Sequence, residues 1–287
     1  MKKILVTGSN GQLGSCLKIK SKEQKTLDFV FLDSQGLDVT NVKQINKVFS
    51  ENNFDYCINC AAYTAVDQAE DESDIAYNIN TLGAKNLAEA SKKYKVTLIH
   101  VSTDFVFNGQ AQVAYKETDI TNPLGVYGST KLEGEKEIQS KLSEHYIIRT
   151  SWLYSEFKNN FLKTMLNLAS KKDALGVVND QFGTPTNAND LSEAILKIII
   201  SEKKEYGLYH FSNLGEITWY EFAKAIFDLT NTNIKLTPIS TAEYKTKALR
   251  PKYSVLDKTK IIKTFDLEVL DWKKSLKNHL NIHIPKG

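Results

Sequence analysis

An α/β fold, one parallel sheet with helices on both faces, is predicted by three observations. Short apolar runs and longer amphipathic stretches take turns through the first half of the chain. The apolar runs do not strictly alternate with polar residues, as expected of strands covered on both sides. The first run leads straight into a glycine-spaced loop, "TGSNGQLG". Strand then helix, repeated, is the pattern of parallel strands joined by crossovers.

In order, strands are predicted at Lys3 to Thr7, Phe29 to Asp33, Tyr56 to Ala62 and Thr97 to Ser102. "HYIIRTSWLY" adds a further buried strand, so the sheet has at least five members. "SDIAYNINTLGAKNLAEASKKY" is one of the amphipathic stretches between them. The second half is less regular. "NNFLKTMLNLASKK" reads as a helix with Phe161, Met165 and Leu168 on its core face. "NANDLSEAILKIIISEKK" is another, capped by Asn189 or Asn187. "GLYHFSN" and "IKLTPIS" read as short strands, and "ITWYEFAKAIFDLT" as a helix with Thr218 and Glu221 in a reciprocal cap. "DLEVLDWKKSLKNHL" is a final amphipathic helix. The expected division is a dinucleotide-binding domain over 1–150, with 184–205 returning to it. A smaller, mostly C-terminal substrate-binding domain takes 151–183 and 206–287.

Composition narrows the function classes. The chain has 287 residues, 41% of them hydrophobic and 25% charged, an ordinary globular balance. A net charge of +3 with no concentrated basic block argues against a nucleic-acid partner. No stretch is long enough to span a membrane. "MKKILVTGSNG" has too few apolar residues before glycine for a secretion signal. Cys16, Cys57 and Cys60 are too few for a disulfide framework, and "CINC" sits in an apolar strand without the second half of a zinc site. A cytoplasmic, reducing compartment is the expectation.

Gly8, Gly11 and Gly14 are spaced GxxGxxG. Glycine permits the tight turn and the close approach of backbone to phosphate, and the following helix start offers unpaired N–H groups to the anion. Placed after the first strand of a βαβ pattern, the trio predicts a Rossmann-like dinucleotide site. Asp33 ends the second run, 25 residues after Gly8. A carboxylate there accepts from the adenosine ribose and repels a 2′-phosphate, so NADH is slightly favoured over NADPH. Asp38, in "LDVT", competes for a place near the adenine.

"VYGSTK" puts Tyr127 and Lys131 four residues apart, on one helical face. Free tyrosine, with a pKa of roughly 10, exchanges protons poorly at neutral pH. A nearby ammonium lowers that value. The pair can protonate a carbonyl oxygen while hydride attacks its carbon, and Lys131 can also hold a ribose. A hydroxyl of Ser102 or Thr103, at the preceding strand end, can bind the same oxygen.

Together, "GSNGQLG", "STD" and "YGSTK" resemble the extended short-chain dehydrogenase/reductases. "NCAAYTAVDQAE", "VSTDFVFNG", "NPLGVYGSTKLEGE", "RTSWLY", "NDQFGTPT" and "LRPKYSVLD" are similar to blocks of one branch, the dTDP-4-dehydrorhamnose reductases, and cover most of the chain in order. The resemblance implies reduction of a dTDP-linked 4-keto sugar by NADH or NADPH, the last step in making dTDP-L-rhamnose for polysaccharides. It implies Thr103, Tyr127 and Lys131 as the catalytic set, with threonine where the wider family has serine. It places Asn10, Gly11 and Gln12 at the cofactor phosphates, Asp38 and Val39 near adenine, and Ala62, Tyr63 and Thr64 along the cofactor. Asp104 and Trp152 would contact the nucleotide sugar, and Arg250 its phosphates. Asn80 is either a helix contact or part of a water relay beside Lys131.

Two departures from the family pattern bear on assembly. Some members pair across magnesium through a glutamate just after the glycine loop; Ser15 stands there, and no glutamate follows the last helix. Magnesium therefore has no support from site residues, and a homodimer is expected, if at all, without that bridge. The rivals are a sister reductase for another nucleotide-linked 4-keto-6-deoxy sugar, and a non-catalytic protein like the regulatory subunit of methionine adenosyltransferase. The intact "YGSTK" beside "STD" favours catalysis.

Overall fold

The structure is a computed structural model and describes residues 1–283. Six parallel strands form its sheet. They are β1 (Lys2–Thr7), β2 (Leu27–Leu32), β3 (Tyr56–Asn59), β4 (Thr97–Thr103), β5 (His145–Thr150) and β6 (Gly207–His210). Their spatial order is β2-β1-β3-β4-β5-β6. Val6 lies opposite Phe31 on one side and Ile58 on the other. After β2 the chain crosses back to the far side of β1, and this reversal opens a crevice at the carboxyl ends of β1 and β3.

Both faces of the sheet are covered. On one, Ile4 and Val6 pack with Leu13 and Leu17 of the helix Gln12–Lys20 and with Leu191, Ile195 and Ile199 of the helix Ala188–Ser201. On the other, Leu5, Cys57 and Ile147 pack with Ile45 and Phe49 of Val42–Glu51, Leu87 of Gly83–Tyr94 and Ile138 of Val126–Lys141. Each such side chain removed from water contributes about 1.5–3 kcal/mol, which explains the unbroken apolar runs. A second core gathers Tyr154, Leu162, Met165, Leu175, Phe222, Ile226 and Leu276. Beside it, Lys235–Ile239 pairs in parallel with Ala174–Val178.

The stretch 206–287 was expected to lie with the smaller domain; its described part, 206–283, is divided between the two cores. β6 pairs with β5, Gly207 opposite Tyr146, and Ile261, Phe265 and Leu267 join the cluster around Ile4. The outer edge of β5 needs a parallel partner, and a parallel partner has to come from beyond a crossover. The helix Ala188–Ser201 is that crossover.

The helix ends are set by local chemistry. Asn187, rather than Asn189, caps Ala188–Ser201 by accepting from the Asn189 N–H at 3.0 Å. Thr218 and Glu221 form the reciprocal cap, at 3.2 and 2.7 Å. Asn160 caps Phe161–Ala169, where Leu162 and Met165 are the buried pair and Phe161 and Leu168 flank them. Cys16 and Cys57 are buried and Cys60 half-buried, all free thiols. Burial raises both thiols of "CINC", Cys57 and Cys60, the latter to about 12, which disfavours the thiolate that redox or metal chemistry needs. Among the described residues, no helix is long and apolar enough to cross a membrane.

Candidate active site

The glycine loop leaves β1 through Gly8, whose φ of +61° suits glycine. A Cβ there would lie 2.6 Å from the Ala61 nitrogen, so β3 and the loop meet backbone to backbone. Gly11 then starts the helix Gln12–Lys20, and no side chain caps it. Its first N–H groups are left for an anion, which is the fit a dinucleotide's diphosphate requires. The Gln12 Oε1 accepts from Ser155 Oγ and Asn160 Nδ2, both at 3.0 Å. Asn10 Nδ2 donates to Asp33 Oδ2 at 2.5 Å, which ties the loop to the end of β2.

Twelve of the candidate site residues border one cleft of about 630 Å³: Gly11, Gln12, Gly14, Ala62, Thr64, Ser102, Thr103, Asp104, Tyr127, Lys131, Trp152 and Arg250. Gly8, Asn10, Asp33, Asp38, Val39 and Tyr63 are outside its lining. Val39 is buried in the core behind the sheet. The Asp38 Oδ1 accepts from the Thr40 N–H and hydroxyl at 2.9 and 2.8 Å. Tyr63 turns away, its hydroxyl donating to Glu72 at 2.7 Å. Asn80, 1% exposed, clamps the Tyr63 backbone from both sides and donates to Thr130 Oγ1 at 3.1 Å. It sits in a π-helical turn, Asn78–Leu82, and its side chain holds two segments of the cleft wall together.

The helix Val126–Lys141 carries Tyr127 and Lys131. Gly125 offers it no side-chain cap, and Glu70 Oε1 supplies one from another segment by accepting the Val126 N–H at 2.8 Å. Farther along, Glu135 receives Arg149 Nη2 at 2.6 Å and Ser102 Oγ at 2.5 Å, all buried. This pair pins the helix to β4 and β5; removing one partner of such a buried pair costs about 3–5 kcal/mol. It also decides between the two hydroxyls. Both border the cleft, but the Ser102 hydroxyl is committed to Glu135, whereas that of Thr103 bonds Asp104, itself a cleft residue, at 3.1 Å.

The electrostatics correct one expectation. Lys131 does not hold the Tyr127 pKa down. Its ammonium donates to the Val101 carbonyl at 2.7 Å and lies 3.2 Å from His100 Nε2. Burial pushes Lys131 down to about 8, against the pull of Glu135. Burial and the nearby Asp104 push the half-buried Tyr127 up to about 12, with the Thr103 hydroxyl working the other way. A phenol so placed is a held proton, the form a proton donor needs. Burial likewise lifts Asp104 to about 6, and its Oδ2 has no hydrogen-bond partner among the described residues.

The opposite wall is aromatic. Trp152 adopts a φ of +47°, rare for a large side chain. Its ring stacks on Trp219 at 3.5 Å and 10°, with Phe161 behind at 4.6 Å. A Cβ on Gly183 would meet the Trp152 ring at 2.5 Å, so glycine is what lets the ring lie there. Arg250 closes this wall and forms a forked pair with Asp67, at 2.7 and 3.1 Å. The Arg250 hydrogen bonds hold the Asp67 carboxyl below the usual range.

Sequence reasoning missed Trp219, Asp67 and His100. The even-odd alternation of "TLIHVST" marks which side of β4 each residue faces and was a usable signal for His100 and Ser102. Trp219 and Asp67 carry no local signal; the fold alone brings them to Trp152 and Arg250.

A family model described as the RmlD substrate binding domain matches residues 1–283. The dTDP-4-dehydrorhamnose reductase of Aggregatibacter actinomycetemcomitans is 43% identical, over 97% of this chain and 98% of its own. A crystal structure of a dTDP-4-dehydrorhamnose reductase from Clostridium acetobutylicum is 45% identical, covers 98% of this chain and 99% of its own, and has a TM-score of 0.93. The Bacillus anthracis reductase, solved in complex with NADP, is 39% identical, covers 98% of this chain and 100% of its own, and has a TM-score of 0.95.

Proposed function

The chain belongs to the dTDP-4-dehydrorhamnose reductase family, and we propose that its cleft reduces the C4 keto group of dTDP-4-dehydro-β-L-rhamnose to give dTDP-β-L-rhamnose. The observation that carries this reading is the meeting of Thr103, Tyr127 and Lys131 with the glycine loop in one cleft. The bound nicotinamide cofactor, NADH or NADPH, supplies the hydride. The first turn of Gln12–Lys20 and the backbone of Gly11 and Gln12 would hold its diphosphate. Ala62 and Thr64 would border it along the strand ends.

Tyr127 gives its proton to the carbonyl oxygen as negative charge develops there, and Thr103 donates a hydrogen bond to the same atom. Lys131 supplies positive charge beneath the reacting groups and a donor for the ribose. Asp104 and the Trp152 ring orient the sugar. Arg250, whose fork matches a diphosphate, binds the dTDP phosphates by exchanging one pair of oxygens, those of Asp67, for another.

Asp33 weights the cofactor choice toward NADH. Its carboxylate lies at the end of β2 against Asn10, where a 2′-phosphate would meet like charge. Asp33→Ser should raise kcat/KM with NADPH relative to NADH by roughly 10-fold, about 1.4 kcal/mol; an unchanged ratio removes Asp33 from this role. The function itself is tested by incubating the protein with dTDP-4-dehydrorhamnose and each reduced nicotinamide, tracking absorbance and then product stereochemistry by NMR. A different C4 configuration, or turnover only with another nucleotide sugar, would identify a sister reductase. No turnover with any keto sugar would point to a binding role.

A further inference from the structure

The C-terminal helix, Trp272–His283, carries His279 and His283 one turn apart on a single face. Glu156 reaches them from the segment just beyond Tyr154. One nitrogen or oxygen from each residue lies within 4.8 Å of those from the other two. His279 Nδ1 is 3.9 Å from Glu156 Oε2, and His283 Nε2 is 3.6 Å from Glu156 Oε1. Neither separation is a hydrogen bond. The His279 side chain is 2% exposed, and its Nδ1 has no hydrogen-bond partner among the described residues. A buried imidazole nitrogen aimed at a carboxylate and a second imidazole, yet bonded to neither, needs an explanation.

We propose that Glu156, His279 Nδ1 and His283 Nε2 form a binding site for one divalent cation of the zinc class. Two imidazoles and a carboxylate suit zinc, cobalt or nickel and poorly suit magnesium or calcium, which prefer oxygen. With metal–ligand bonds of about 2.0–2.1 Å, tetrahedral ligands stand roughly 3.4 Å from one another. The two Glu156 separations, 3.6 and 3.9 Å, stand close to that, and the widest spacing in the trio, within 4.8 Å, has to close by side-chain rotation. Glu156 is oriented by Asn189 Nδ2, which donates to Oε2 at 3.0 Å. The Tyr154 ring meets the His279 ring edge-on at 5.3 Å and fixes its plane. The side chain of His283 is 30% exposed, which leaves a fourth position to water.

This site is remote in chemistry from the reduction, and its role is structural. The ion joins the C-terminal helix to the segment bearing Ser155 and Asn160, the two residues that hold Gln12 of the phosphate loop. Metal binding thus fastens the loop from behind.

The test is titration of the full chain, freed of metal by chelation, with cobalt(II), monitored by visible absorption. One equivalent should give the d–d bands of a low-coordinate site, and zinc should abolish them while millimolar magnesium does not. His283→Ala, at an exposed position, should weaken cobalt binding by more than ~100-fold. Asn189→Ala should weaken it by only ~10-fold, as loss of an orienting partner does. Zinc should raise the melting temperature of the native chain and leave that of His283→Ala unchanged. Absence of the bands, or native affinity in His283→Ala, overturns the site.

Discussion

The two walls of the cleft are built on different principles. The sheet wall is regular: strand ends, a tight glycine turn and one helix face put Gly11, Thr103, Tyr127 and Lys131 where backbone geometry dictates. The facing wall has little regular backbone at the cleft. Trp152 is held at a positive φ by a ring stack, and Arg250 by a forked ion pair with Asp67, from the segment after β3. The first wall carries atoms common to many reductions, and the second carries shape. On the proposed function, reaction chemistry would rest on what the backbone fixes, and substrate choice on what side chains hold.

If that contrast holds, damage to the first wall should appear in kcat and damage to the second in KM. The largest effect is expected from Tyr127→Phe. Loss of the proton donor should lower kcat by ~10²–10⁴-fold while cofactor affinity, measured by fluorescence titration, stays unchanged. Native turnover in this variant would remove Tyr127 from its role. On the other wall, Trp152→Ala should raise the KM for the nucleotide sugar by ~10–100-fold with kcat within a few-fold, as loss of uniform binding does. An equal fall in kcat would mean that the aromatic wall also acts in the transition state.

The pH profile sharpens the same comparison. Lys131 keeps its ammonium below about 8 and loses it above. The kcat/KM should therefore fall as pH rises through that value, toward about tenfold per unit, in steady-state assays of the native enzyme. A profile flat to pH 10 would deny the ammonium a part. The smallest effect concerns stability. Asp104, lifted to about 6, binds more protons folded than unfolded between roughly pH 4 and 6, so stability is lost as pH rises through that window. Asp104→Asn should remove this loss and stabilise the protein at pH 7 by about 1–3 kcal/mol in urea unfolding, while raising the KM. A destabilised variant would show that the ionised carboxylate is well compensated.

Much of the sheet wall was legible in the sequence, because its determinants are local. The spacing Gly8, Gly11, Gly14 and the Tyr127–Lys131 interval are visible without knowing the fold. What the sequence left open, the choice between Ser102 and Thr103, depended on where Glu135 and Arg149 stood in space. The Tyr127 pKa was misread for a related reason. A four-residue interval places two side chains on one face, yet Lys131 extends to Val101 and His100 instead. Trp219 and Asp67 were not legible at all, since they lie 67 and 183 residues from the partners they hold in the chain. The division of 206–283 was missed because strand pairing is a long-range choice; nothing in "GLYHFSN" names β5 as its neighbour.

The π-helical turn at Asn78–Leu82 has a consequence for how this chain tolerates change. Such a turn is one residue wider than its surroundings, so it behaves as an insertion absorbed without breaking the helix. A single-codon deletion there would restore regular winding and rotate the preceding turns by about 100° relative to the helix Gly83–Tyr94. Asn80 could not then reach both Tyr63 and Thr130, and the floor beneath the phenol would lose its brace. Length, together with the asparagine at position 80, is what natural variation should preserve across those five positions.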